Sequence, residues 1–142
     1  MLNVFFEDVV IPDLDSEFFV SWLSATCFEE GKQLEEVNLI FCSDEYLLKM
    51  NIEFLQHDYY TDIISFDYCE DNLIIGDLFI SKDRVFENAN DNNVLFSTEL
   101  QRVIVHGVLH LCGYNDKLDD EVLLMRLKEN YYLDKIVSRE TN

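Results

Sequence analysis

From Lys82 onward the apolar residues of this chain keep a helical period, and that lasting switch constrains the fold more than any other feature of the sequence. Ahead of it lie short apolar runs of strand length: LNVFFE near the start, residues 37–42, TDIISFDY from Thr61 and NLIIGDLFIS from Asn72. Cys69, Glu70 and Asp71 separate the last two, which is hairpin spacing. Gly76 inside the second run predicts a bulge or a close backbone approach. Two helices interrupt these strands. One covers about 16–30, capped by Asp15 or Ser16, with Phe18, Phe19, Trp22, Leu23 and Thr26 at helical spacing and Gly31 as its stop. The other covers 45–54, capped by Ser43 or Asp44, with Leu47, Leu48 and Met50 on its buried side. Beyond Lys82 the pattern is helical over about 82–91, 96–112 and 118–136. The expectation is an α+β fold: a mixed, roughly four-stranded sheet against about five helices.

A single domain over residues 1–142 accommodates this order. Apolar residues make up 49% of the 142, enough for one core. With Pro12 the only proline, four glycines and no Ser/Gly-rich stretch, the chain offers neither a linker nor a repeat. No apolar run approaches the roughly 18 residues of a membrane span, and MLNVFFEDVV lacks the basic start of a secretory signal, so a cytoplasmic protein with no membrane partner is expected. Cys27, Cys42, Cys69 and Cys112 form no CxxC pair and read as reduced, mostly buried thiols. A net charge of −19 ordinarily counts against a nucleic-acid partner, but it is unevenly spread. Residues 1–81 hold only Lys32 and Lys49 against 18 acids, whereas residues 82–142 hold 8 basic residues against 11 acids. A polyanion is therefore expected at the C-terminal half.

The segment HGVLHLCGYND, residues 106–116, carries the chemistry. His106 and His110 stand four apart on a predicted helix, so both imidazoles leave the same face one turn apart and can reach one ion at roughly 2.1 Å. Gly113 can take the left-handed conformation that ends a helix and turns the chain, bringing Asp116 back to the same ion. Two nitrogens, one oxygen and an open fourth position make the ligand set of a catalytic zinc site; the same set also suits iron, manganese or nickel. Gly107 stands where a zinc peptidase of the H-E-x-x-H type has its glutamate, which disfavours peptide hydrolysis. At about 100° per residue, Glu99 falls within about 20° of both histidines and Arg102 about 60° to the side. Glu99 can orient a histidine or accept a proton, and Arg102 can hold a phosphate; surface ion pairs are the alternative for both. Cys112 turns to another face and reads as a buried thiol rather than a ligand.

HGVLHLCGY resembles the signature of the YbeY family of bacterial endoribonucleases, or rRNA maturation factors, whose pattern reads H-G-x-L-H-L-x-G-Y-D-H. Asn51, Asp58, Thr61-Asp62, Ile64-Ser65-Phe66, Gly76-Asp77 and Ile80-Ser81 match the family's upstream order, and the likeness spans about 37–129. The resemblance implies a zinc-dependent endoribonuclease, one Zn²⁺ per chain on His106, His110 and Asp116, acting on single-stranded rRNA precursors, with ribosomal subunits or ribosomal proteins as further partners. The family's third histidine falls at Asp116, its preceding Asp at Asn115, and an Arg at Leu55. A carboxylate ligand keeps metal binding and makes bound water slightly less acidic. Arg102, Arg84 and His57 are the candidates to handle phosphate in place of the arginine at 55, although His57 also reads as an exposed loop residue. Asp62 and Asp77 either line the cleft or cap backbone amides. A ribosome-associated assembly factor with a structural metal, or a zinc hydrolase of another substrate, are the alternative readings.

Overall fold

The computed structural model describes residues 1–140, with side chains to Ile136. Along the chain run β1 (Leu2–Phe6), α1 (Ser16–Glu29), β2 (Gln33–Cys42), α2 (Asp44–Leu55), β3 (Ile63–Asp67), β4 (Leu73–Ser81), α3 (Lys82–Asp91), α4 (Phe96–Leu111) and α5 (Asp119–Glu140). The four strands form one mixed sheet in the order β1-β2-β4-β3. β1, β2 and β4 are parallel, and the β3–β4 hairpin adds the antiparallel edge. The α+β expectation holds, with the predicted number of strands and helices.

Local chemistry explains most boundaries. Asp15, not Ser16, caps α1 by accepting from the Phe18 N–H, and Ser43 caps α2 through the Tyr46 N–H. Gly31, at φ +77°, turns the chain out of α1. β2 begins four residues before the expected 37, because backbone pairing with β4 recruits the polar stretch Gln33–Glu36 in spite of its side chains. The ladder is irregular there, between Leu34 and Glu36.

Strand alternation sorts the core into two unequal layers. Val37, Leu39 and Phe41 of β2 and Ile74, Leu78 and Ile80 of β4 share one face, where they meet α1, α3, α4 and α5 in a single apolar cluster. The other face carries α2, where Leu47 packs with Cys42 and Ile64. On α2 the buried residues are Leu47 and Asn51, while Leu48 and Met50 are only half-buried. That corrects the expected buried side: Asn51 faces inward because the following loop needs its amide. Cys27 and Cys42 are buried, Cys69 and Cys112 half-buried, and all four are free. Among the described residues no helix is long and apolar enough to cross a membrane.

Two glycines let α4 lie close across β3 and β4. A Cβ on Gly107 would fall 2.6 Å from the Ile63 Cδ1 methyl and 3.0 Å from both Leu78 methyls, so a side chain there would force these side chains to shift. A Cβ on Gly76 would fall 2.6 Å from the Phe66 carbonyl oxygen and 2.9 Å from a Leu111 methyl. Of the two expectations for Gly76, close approach is the one realised. Because a backbone oxygen cannot yield as a side chain can, Gly76→Ala is expected to cost about 1–3 kcal/mol, seen as a lower urea midpoint with an unchanged slope. An unchanged midpoint would contradict this packing.

A candidate metal centre in a two-armed trough

The site begins with how α4 ends. Gly113, at φ +109°, donates its N–H to the His110 carbonyl at 3.0 Å, and the Tyr114 N–H reaches the Leu109 carbonyl at 3.1 Å. These are the paired bonds of a Schellman turn, which only a residue tolerant of positive φ completes at low cost. The turn brings the Tyr114 carbonyl to 2.8 Å from His110 Nδ1 and carries the chain back to Asp116. From α5, Glu129 Oε2 lies 2.7 Å from His106 Nδ1.

Those partners settle the tautomers. A carbonyl and an ionised carboxylate only accept, so each Nδ1 carries a proton, and in the neutral imidazole Nε2 is then the nitrogen with the lone pair. The two Nε2 atoms lie 3.0 Å apart, and each is 3.2 Å from Asp116 Oδ2. Three lone-pair donors this close repel one another unless they share a cation. A proton relieves one pair of them; a metal ion relieves all three. Ligands at roughly 2.0–2.1 Å around a tetrahedral zinc lie about 3.3–3.4 Å apart, so the donor set fits such an ion with little movement.

Burial and neighbouring charges oppose each other around the donors. Burial alone would push His106 down, but the hydrogen bond and charge of Glu129, with Asp62 and Asp116, hold it above its ordinary value. Burial would likewise raise Glu129, yet its bonds to His106 and Arg102 hold it below the usual carboxylate range. At Asp62 and Glu99 burial wins: it outweighs the pull of His106 and the backbone hydrogen bonds on Asp62, and the pull of Arg102 and Arg126 on Glu99, and pushes both carboxyls up.

Two cavities meet at the donors and share Asp62, His106 and Asp116. One, of about 420 Å³, is lined further by Glu99, Arg102 and Arg126. The other, of about 530 Å³, is lined by Leu55, His57, Tyr59, His110 and Lys117. Together they form a trough with the metal donors between its arms. Cations stand along both arms in spite of the overall negative charge.

The structure brings His106, His110 and Asp116 together as the sequence predicts, with one donor atom of each within 4.8 Å of the others. Glu99 is buried in the first arm but makes no hydrogen bond to either histidine. Arg102 lines the same arm, its guanidinium bonded to Glu129 at 2.8 Å and to Asn130 at 2.8 Å. Asp62 lines the cleft, whereas Asp77 does not: it accepts from Asn38 across the sheet at 2.8 Å. Arg84 also lies outside the trough, paired with Asp44 at 2.6 Å and set over the Tyr60 ring. His57 is exposed and lines the second arm, so both of its readings hold. Cys112 packs against the apolar cluster that holds Cys27 and takes no part in the donor set.

Sequence reasoning missed Glu129. Its one signal is that it interrupts the apolar stripe Met125, Tyr132, Ile136 of α5 at helical spacing, and an acid on a buried stripe needs a partner.

The sequence matches the family described as endoribonuclease YbeY over residues 9–137. It is 52% identical to the endoribonuclease YbeY of Flavobacterium johnsoniae over 130 residues, covering 92% of this chain and 93% of that protein. It is 44% identical to that of Porphyromonas gingivalis over 140 residues, covering 99% and 91%. The solution structure of a Thermotoga maritima protein superposes with a TM-score of 0.71 at 25% identity, covering 99% of this chain and 92% of the other. With a matching motif, a matching fold and near full-length similarity to named relatives, the chain belongs to the YbeY endoribonuclease family.

Proposed function

We propose that this chain is a zinc-dependent endoribonuclease that cuts single-stranded RNA during ribosomal RNA maturation in the cytoplasm. The observation that carries the reading is the convergence of two Nε2 atoms and one carboxylate oxygen at 3.0–3.2 Å where two surface cavities meet. Arg102 and Arg126 on one side of the donors and Lys117 on the other supply cations that can meet the phosphates of a bound strand.

A zinc ion on the three donors supplies a Lewis acid for a phosphoryl oxygen and lowers the pKa of water. The chain's own groups do the rest. Glu129 and the Tyr114 carbonyl hold the imidazoles with Nε2 forward. Asp62 and Glu99, whose raised carboxyls line the first arm, are placed to take and return a proton. Arg102, braced by Glu129 and Asn130, and the more exposed Arg126 face the same arm and suit phosphate oxygens. A ribosomal particle as the setting rests on family membership and on the −19 charge, which complements basic ribosomal proteins.

The test is metal content by inductively coupled plasma mass spectrometry, on protein purified without chelator or histidine tag. About one zinc per chain is expected, falling by at least about 10-fold in Asp116→Ala, with RNA cleavage lost in parallel. Full metal content in Asp116→Ala would remove Asp116 from the ligand set. Zinc-bound protein that sediments with ribosomal subunits but cleaves no RNA would favour an assembly factor.

A further inference from the structure

We propose that His57 and Tyr59 form a base-stacking platform that seats one unpaired nucleotide of the RNA in the second arm of the trough. This rests on the reading that the trough takes single-stranded RNA. It adds where a base goes and which ring holds it.

The two rings are already stacked on each other, with centroids 5.2 Å apart and planes 18° from parallel. The Tyr59 hydroxyl lies 3.0 Å from His57 Nδ1 and fixes their mutual rotation. Both residues line the cavity that contains His106, His110 and Asp116. Tyr59 is nonetheless 57% exposed, so a large aromatic face is left uncovered beside the metal donors.

The loop that carries the platform is pinned rather than loose. Gln56, at φ +57°, ends α2 and turns the chain out. Asn51, 2% exposed, then holds the loop from below: its carbonyl accepts the His57 N–H at 3.0 Å, and its side-chain amide donates to the Tyr59 carbonyl at 2.9 Å. That explains why α2 turns an asparagine inward. A buried asparagine that holds the loop through both its backbone carbonyl and its side-chain amide is a costly device for an idle surface loop, and it presets the rings for a flat ligand.

Single-stranded RNA is the occupant these features favour. Aromatic platforms next to backbone cations are how unpaired strands are held, since every base has a π face. Lys117 supplies such a cation in the same arm; it is exposed, follows the donor Asp116, and makes no ion pair among the described residues. Leu55 stands at the wall of this arm, so stacking and one lysine take the place of an arginine there.

The experiment measures fluorescence anisotropy of a labelled 2′-O-methyl single-stranded oligonucleotide with the metal-loaded protein. Tyr59→Ala is expected to raise Kd by about 10- to 100-fold with metal content unchanged, while Tyr59→Phe stays within about twofold of the parent. A series of oligonucleotides with one abasic position each, bound to the unaltered protein, is expected to show one position whose loss matches that of Tyr59→Ala. The two losses should not add. A Kd indifferent to Tyr59→Ala, or an abasic series with no single sensitive position, would overturn the platform. RNA cleavage with a silent Tyr59 refutes the platform and leaves the nuclease reading standing. Tyr59-dependent binding without cleavage of natural RNA does the reverse.

Discussion

His110→Ala is expected to abolish both metal retention and RNA cleavage while leaving the fold intact. Its imidazole is one of three converging donors, and alanine leaves only His106 and Asp116 for the ion. The loss of affinity should exceed the 10- to 100-fold usually carried by outer partners of a ligand, and activity should fall by at least about 10³-fold. Folding tolerates the change because the His110 side chain is only partly buried and lies at the cleft rather than in the apolar cluster. Far-ultraviolet circular dichroism should match the parent. Metal analysis and cleavage of a short RNA decide the matter: wild-type cleavage by a metal-free His110→Ala protein would refute metal-dependent catalysis.

Glu129→Ala is expected to damage stability and site together. Glu129 is 5% exposed, accepts from Arg102 at 2.8 Å and His106 at 2.7 Å, and lies 3.6 Å from Arg126. Removing it strands a half-buried guanidinium and leaves the His106 Nδ1–H without an acceptor. Breaking one partner out of a buried charged pair costs about 3–5 kcal/mol, which at this size lowers Tm by roughly 6–20 °C. Metal affinity should fall a further 10- to 100-fold, because the imidazole is no longer held with Nε2 forward. Glu129→Gln separates the two effects. An amide oxygen still accepts from Nδ1, so metal affinity should recover in part while the Arg102 pairing stays weak. Thermal unfolding with and without added zinc measures both, and a Glu129→Ala protein with parental Tm and zinc affinity would show that the pair contributes nothing.

Much of this was legible from local signals. Histidines four apart, then a glycine three residues on, foretold the donor cluster, because helix period and left-handed turns are properties of a few neighbouring residues. The β3–β4 hairpin was legible for the same reason. What stayed hidden depends on contacts distant in sequence. Gln33–Glu36 joins β2 only because β4 supplies ladder partners. Glu129 reaches His106 from 23 positions away, on a helix whose docking the periodicity does not specify. Asp77 read as a cleft acid or a cap for backbone amides, and neither reading could foresee that register sets it beside the Asn38 side chain. Glu99 shares a helical face with the histidines, but a shared face sets direction and not contact.

The turn that ends α4 gives the segment between His110 and Asp116 an unusual intolerance. Tyr114 closes the turn through its N–H, bonded to the Leu109 carbonyl, and sets His110 through its own carbonyl, so the length of the helix and the aim of a nitrogen depend on one residue. Inserting or deleting a residue between His110 and Tyr114 would move Tyr114 off the position from which it does both, so the helix stop and the aim of the His110 ring would suffer together. Loops are ordinarily where chains absorb changes in length; this one is as closed to them as the core.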